Sequence, residues 1–233
     1  MTHILDLFCG CGGWDEGARQ LGHHPLGIDN DPDAIATNRA AGATVIQHDI
    51  TQLNPHNYTK YQGILASPPC TDFSRAGKHA GIHGTTGNLM WEIPRWINII
   101  KPTWIACEQV PPAKKWWEHF AQQLNQNGYS TWVGTLNAAD YGVPQTRKRA
   151  ILLARNDGKP ATPPPPTHQT VHLCTTSSVM ERLRCLLLLR FAAKLDSTMM
   201  GALRPQQPLL HPHPAALVPP AQPMPPLHSL LPL

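Results

Sequence analysis

Up to about residue 155 the chain alternates short apolar, β-rich runs with segments of helical period. HILDLF (3–8), HPLGID (24–29), TVIQHD (44–49), GILASP (63–68) and TWIACEQV (103–110) read as buried parallel strands. Between them, WDEGARQLG, DPDAIATNRAAG, LMWEIPRWINII and AKKWWEHFAQQLNQNG read as helices. The second has Asn30 or Asp31 as its N-cap, Pro32 at its first position and Gly42 at its end, and the fourth stops at Gly128. Strand and helix in strict alternation predict an α/β fold with a Rossmann-like, doubly wound, mostly parallel sheet. Ligands of such sheets sit outside the carboxyl ends of the strands.

The alternation stops before the chain does. KPATPPPPTHQT is a proline-rich breaker, and most of the 25 prolines lie in it or after it. One domain is therefore expected over 1–158. The tail over 159–233 is expected to be largely disordered, because proline removes backbone donors and the segment buries too little surface to offset its ordering entropy. One amphipathic helix is expected within the tail, over 178–195. The start, MTHILDLFCG, has no basic region followed by a long apolar stretch, and CLLLL is too short to span a bilayer, so a cytoplasmic protein is expected. The six cysteines form no C-x-x-C pair, and His211 and His213 alternate with proline without other ligands, so neither disulfides nor a metal site is expected. A net charge of +4 permits a nucleic-acid partner without demanding one. The cations concentrate in PQTRKRA (144–150) and at Lys114 and Lys115.

Chemistry gathers at the predicted strand ends. The first strand runs into DLFCGCGGWDEG, where Gly10, Gly12 and Gly13 allow a tight turn and close approach to a ligand at a helix N-terminus. The second strand ends in Asp29, where an acid accepts from a ribose hydroxyl in nucleotide-binding sheets, and Asp49 ends the third. These features together favour an adenosine-type ligand. The fourth strand leads through Pro68 and Pro69 to Cys70 in ILASPPCTDFSRAG. Two prolines stiffen the approach and fix the thiol's direction, and the polar residues Thr71, Asp72 and Ser74 follow. A lone cysteine is usually a small buried hydrophobe, but one at the ligand edge of the sheet is a candidate nucleophile. Glu108 ends the fifth strand, either as a solvated acid or as a proton donor beside Cys70. Arg147 and Arg149 alternate into a further strand and so share one face, where arginines clamp a phosphate or a base edge.

Phe8, Gly10, Gly12 and Gly13 in DLFCGCGG, then SPPC, EQV and QTRKR, in that order over residues 3 to about 155, resemble the cytosine-5 DNA methyltransferase family of bacterial and phage type. The resemblance implies an enzyme that moves a methyl group from S-adenosylmethionine to C5 of cytosine in double-stranded DNA. Cys70 would add to C6 of a flipped-out cytosine, Glu108 would contact N3 and the exocyclic amine, and Arg147 and Arg149 would hold the nucleotide. Phe8, Gly10, Gly12, Gly13, Asn30, Ile50, Pro69 and Leu89 would line the cofactor, with Asp29 on its ribose and Asp49 on its adenine. A monomer and a cognate restriction nuclease are further implications. The RNA branch of the family, which methylates a tRNA cytosine, and a non-catalytic module that only binds cofactor or DNA, are the rival readings.

Several positions depart from the family pattern. Thr71 stands where glutamine is usual, Gln109 where asparagine follows the glutamate, and Asn30 where an aromatic ring is frequent. The family's target-recognition region and its closing Gly-Asn block are not recognisable after residue 155. A truncated or frame-shifted product, a recognition subunit acting in trans, and a compact enzyme of low specificity each account for that.

Overall fold

The computed structural model describes residues 3–73, 81–84 and 86–168. The expected helix over 178–195, the rest of the tail beyond 168, and Ser74 lie outside the described residues. Seven strands form one sheet: β1 (Ile4–Leu7), β2 (Leu26–Asp29), β3 (Thr44–Gln47), β4 (Gly63–Ala66), β5 (Trp104–Gln109), β6 (Ser130–Asn137) and β7 (Lys148–Arg155). Their order is β3-β2-β1-β4-β5-β7-β6. The first five run parallel, whereas β7 inserts antiparallel between β5 and β6. This is the Rossmann-like, mostly parallel sheet expected. β6 is the strand that periodicity does not announce. It lies at the edge with no fully buried residue, so it shows no apolar run.

The helices are α1 (Gly13–Gln20), α2 (Pro32–Ala40), α3 (Glu92–Ile100) and α4 (Lys114–Gln126). Asp31 caps α2, its carboxylate accepting from the N–H groups of Asp33 at 2.9 Å and Ala34 at 3.2 Å. α3 begins three residues later than the apolar pattern, because Pro94 tolerates only the first turn of an α-helix; Gly87–Trp91 tighten into a 3-10 turn instead. Strand alternation splits the core between the two sheet faces. Ile64, Ile105, Cys107 and Leu152 pack with Trp96 of α3 and with Trp117 and Phe120 of α4. Leu65, Trp104, Ala106, Ile151 and Leu153 face the other way, with Trp14 and Ala18 of α1, Tyr141 and Ala161. The chain stays attached beyond β7: the Tyr141 hydroxyl donates to the Pro164 carbonyl at 2.9 Å, and the N–H of Thr167 donates to the Asp140 carbonyl at 2.8 Å.

Two acids are sealed under α1. Asp6 of β1 and Asp15 of α1 are both fully buried, and Asn38 of α2 donates to Asp15 Oδ2 at 2.5 Å. Burial pushes the Asp15 carboxyl up to about 6, against the lowering effect of the Asn38 bond. Burial raises Asp6 as well, followed by the charges of Asp15 and Asp29. A proton shared between the two relieves the repulsion.

Folded-state values above the unfolded ones mean that this stabilisation is full below about pH 4 and is lost as pH rises toward neutrality. Asp15→Asn keeps an acceptor for Asn38 and supplies a donor to Asp6. Urea unfolding of the wild type should therefore weaken by ~2 kcal/mol between pH 4.5 and 7.5 through this pair, and the variant's profile should be flatter. An equally steep profile in the variant would contradict a shared proton.

Candidate active site

The sheet's connections reverse direction between β1 and β4, and a cleft of about 380 Å³ opens beyond the strand ends there. From β3 to β4 its wall runs through His48, Asp49 and Ile50, then Ile28, Asp29 and Asn30, then Phe8 and Gly10, and ends at Ser67 and Pro69. Thr86 and Leu89 close it from the loop after β4. Phe8, Gly10, Asp29, Asn30, Asp49, Ile50, Pro69 and Leu89, separated widely in sequence, thus meet in one cavity. Gly12 and Gly13 are set back from this wall.

The turn after β1 is built on left-handed backbone. Phe8, Gly10 and Gly12 have φ of 62°, 52° and 85°. For Phe8 that conformation is strained by about 1 kcal/mol, and it is locked by its neighbours. The N–H of Cys9 donates to the Ile28 carbonyl at 3.1 Å, and the N–H of Gly10 to Asp29 Oδ2 at 2.8 Å. Gly12 has a steric reason as well: a Cβ there would sit 1.8 Å from Asn38 Oδ1, so the glycine lets α1 close onto α2. Asp29 also accepts the N–H of Asp31 through Oδ1 at 3.0 Å. Asp49 caps a 3-10 turn, and the Thr51 N–H and hydroxyl hold its carboxyl below the ordinary range.

Cys70 stands beyond the end of β4, exposed, with Pro68 buried behind it. Its carbonyl accepts the N–H of Phe73 at 3.0 Å, so a tight turn starts on the cysteine itself. Gln109 braces the approach. Buried at the end of β5, it donates through Nε2 to the carbonyls of Pro68 at 2.9 Å and Pro69 at 3.3 Å, while its Oε1 accepts the N–H of Val110 at 2.7 Å. Asparagine is one methylene shorter, so the departure at this position carries a definite contact.

Glu108 precedes Gln109 and points to the opposite face, toward β7. It pairs across the strands with Ile151, which makes Arg149 its diagonal neighbour. Arg149 Nε lies 2.5 Å from Glu108 Oε1, with side chains 20% and 14% exposed. Burial raises the Glu108 pKa; the charges of Arg149 and then Arg147, and the Arg149 hydrogen bond, oppose it. Arg147 stands just before β7, its N–H donating to Asn137 Oδ1 at 3.0 Å. The exposed thiol and this mostly covered acid occupy the ends of paired parallel strands, since Ala66 of β4 is in register with Cys107 of β5.

The match to known proteins follows the same blocks. A family described as C-5 cytosine-specific DNA methylase matches residues 2–198. The chain belongs to this family. Among other methylases, the type II methyltransferase M1.HphI of Haemophilus parahaemolyticus is 32% identical over 184 residues, covering 72% of this chain and 49% of that protein. M.AquIA of Picosynechococcus is 30% identical over 189 residues, covering 71% and 76%. The chain spans about half the length of most of the curated relatives it matches. In solved structures the DNMT2 of Spodoptera frugiperda shares the fold with a TM-score of 0.59 at 21% identity, covering 74% of this chain and 56% of that one. Dnmt2 of S. pombe does so with 0.58 at 23%, covering 70% and 53%.

Sequence reasoning did not place Ile28, His48, Ser67 or Thr86 in the cleft. Ile28, His48 and Ser67 each adjoin a residue that it did single out, so proximity to a strand end was the available signal. Thr86 arrives through a loop, where neither spacing nor periodicity gives a signal.

Gln109→Leu would leave two carbonyls and one N–H at the base of the Cys70 turn without a partner. The loss should lower unfolding free energy by ~2 kcal/mol in urea titration, whereas a change below ~0.5 kcal/mol would show that Gln109 does not brace the turn.

Proposed function

We propose that this chain carries the catalytic machinery of an S-adenosylmethionine-dependent DNA cytosine-5 methyltransferase. The observation that carries the reading is the meeting, at one sheet edge, of an exposed cysteine on a stiffened turn, a covered glutamate paired with arginine, and a cleft suited to an adenosine. The donor set fits that cofactor. Asp29 keeps lone pairs for a ribose diol beyond the two N–H groups it already accepts, Asp49 offers an anionic acceptor for an amine, and Phe8 and Ile50 give an apolar wall. When bound, the cofactor supplies an electrophilic methyl group and leaves as the neutral thioether.

Cytosine C5 is a weak nucleophile, so the chain must first make it electron-rich. The Cys70 thiolate adds to C6, which breaks the C5–C6 double bond and places the electron pair on C5. Glu108, held protonated to higher pH than an ordinary glutamate by its burial, donates to N3 and takes up the charge that the addition pushes into the ring. Arg149 orients that carboxyl and, with Arg147, holds the nucleotide. After C5 has taken the methyl group, its proton leaves to solvent. The electrons of that C–H bond re-form C5–C6 and expel Cys70 as thiolate. A base paired in a duplex cannot reach Cys70, so the substrate cytosine is flipped out.

By the same reading the protein is a cytoplasmic monomer acting on bacterial or phage DNA, with a cognate restriction nuclease or a separate recognition subunit as its partner. Among the described residues no helix is long and apolar enough to cross a membrane.

Labelled methyl from S-adenosylmethionine should enter genomic DNA with the wild type and fall by ~1000-fold or more with Cys70→Ala. Labelling of tRNA alone, or labelling that survives the substitution, would overturn the reading. The pH dependence is a second check. A proton-donating Glu108 makes the rate fall as pH rises through its raised pKa, and Glu108→Gln should remove that alkaline limb as well as slow the reaction.

A further inference from the structure

Cys70 is braced on one side by Gln109; the brace on its other side has a different character. Asp72 is the third residue of the turn that begins on Cys70 and is 3% exposed. Its Oδ2 accepts three hydrogen bonds: from the N–H of Thr86 at 2.8 Å, the hydroxyl of Thr86 at 2.6 Å and the N–H of Gly87 at 2.9 Å. A buried carboxylate is costly unless donors surround it, and these three come from the short segment Thr86–Gly87. Gly84 completes the fit, for a Cβ there would lie 2.2 Å from Asp72 Cγ. Phe73, next to Asp72, and Ile82, near Gly84, both pack into the main core.

The far end of this clasp is part of the cleft. Thr86 lines it, as does Leu89, whose N–H donates to the Thr86 carbonyl at 3.2 Å. One carboxylate therefore joins the turn that carries the thiol to the wall that a bound cofactor would touch. A local cap on a 3-10 turn would need only one neighbouring oxygen, whereas Asp72 bonds to residues 14 and 15 positions further along the chain.

Resting on the reading of the cleft as the cofactor site, we propose that Asp72 is a positioning residue that couples occupation of the cleft to the placement of Cys70. A ligand held against Thr86 and Leu89 favours the Asp72 clasp, and the clasp fixes the turn that aims the thiol. By linkage the effect is reciprocal: whatever loosens the clasp weakens the ligand by the same factor by which the ligand tightens the clasp.

The test uses the full chain, S-adenosylhomocysteine as the non-reactive probe, calorimetry for affinity, and iodoacetamide alkylation of Cys70 followed by mass spectrometry. In the wild type, saturating probe should change the Cys70 alkylation rate by about fivefold or more and slow hydrogen exchange at the Thr86 and Gly87 amides. Asp72→Asn should weaken the probe by about tenfold and abolish the response of Cys70 even when the cleft is saturated. Thr86→Val, which keeps both main-chain donors and loses only the hydroxyl, should give a smaller loss of both and serves if Asp72→Asn does not fold. Asp49→Asn, at the opposite end of the cleft, should weaken the probe yet leave the Cys70 response intact at saturation. A wild-type chain that binds the probe while the Cys70 response is unchanged in Asp72→Asn and Thr86→Val would overturn the coupling and leave Asp72 a local cap. No binding to the folded wild type would overturn the cleft reading on which the proposal rests.

Discussion

Chain connections leave β1 and β4 toward opposite faces of the sheet, so nothing crosses the gap between the ends of these two neighbouring strands. That gap is the constraint on which the rest depends. A parallel sheet delivers every strand end to one edge, and the reversal of winding leaves a crevice there that helices cannot fill. Phe8, Asp29, Cys70 and Glu108 each come within a few residues of a strand end, so backbone pairing far from the crevice sets their relative positions. Rigidity is inherited from the sheet, which is why loops of modest length suffice to hold the chemistry.

The residues around the crevice are restrained mainly by polar contacts with the main chain. Asp29 fixes the strained turn at Phe8 through the Gly10 N–H, Gln109 fixes the prolines before Cys70, and Asp72 fixes the turn after it. Asp29 and Gln109 each use a side chain from one strand end to satisfy backbone groups of the next, so neighbouring ends are stitched laterally, whereas Asp72 ties the Cys70 turn to the segment that leads into α3. The antiparallel insertion of β7 serves the same purpose. It carries Arg149 diagonally opposite Glu108, and the two charges offset part of each other's desolvation while burial still keeps the glutamate's pKa raised.

What the sequence made legible follows burial. β1, β2, β4 and β5 lie inside the sheet and are largely buried, so each left an apolar run, while the edge strand β3 left only Val45 and Ile46; the acids, glycines and cysteine that interrupt or end those runs stood out as residues needing another explanation. β6 is half exposed on both faces and gave no run. Cleft residues at strand ends were readable for the same reason, whereas Thr86 reaches the cleft by a loop whose path no periodicity describes. The glycine turn was readable as a ligand loop, but the packing of Gly12 against Asn38 joins positions on different helices and required the fold. The buried pair Asp6 and Asp15 was hidden too, since each acid alone has the look of an ordinary strand end or helix first turn.

The central claim is that Cys70 forms a covalent bond to the base during turnover. Replacing the C5 hydrogen of cytosine by fluorine removes the proton whose loss frees the enzyme, so a short duplex bearing 5-fluorocytosine, with S-adenosylmethionine present, should trap the protein. The account predicts that mass spectrometry finds methylated fluorocytosine attached to the peptide containing Cys70, and nothing at Cys11. Turnover of the fluorinated duplex without such an adduct, or with cofactor and duplex both bound and Cys70 unmodified, would contradict it.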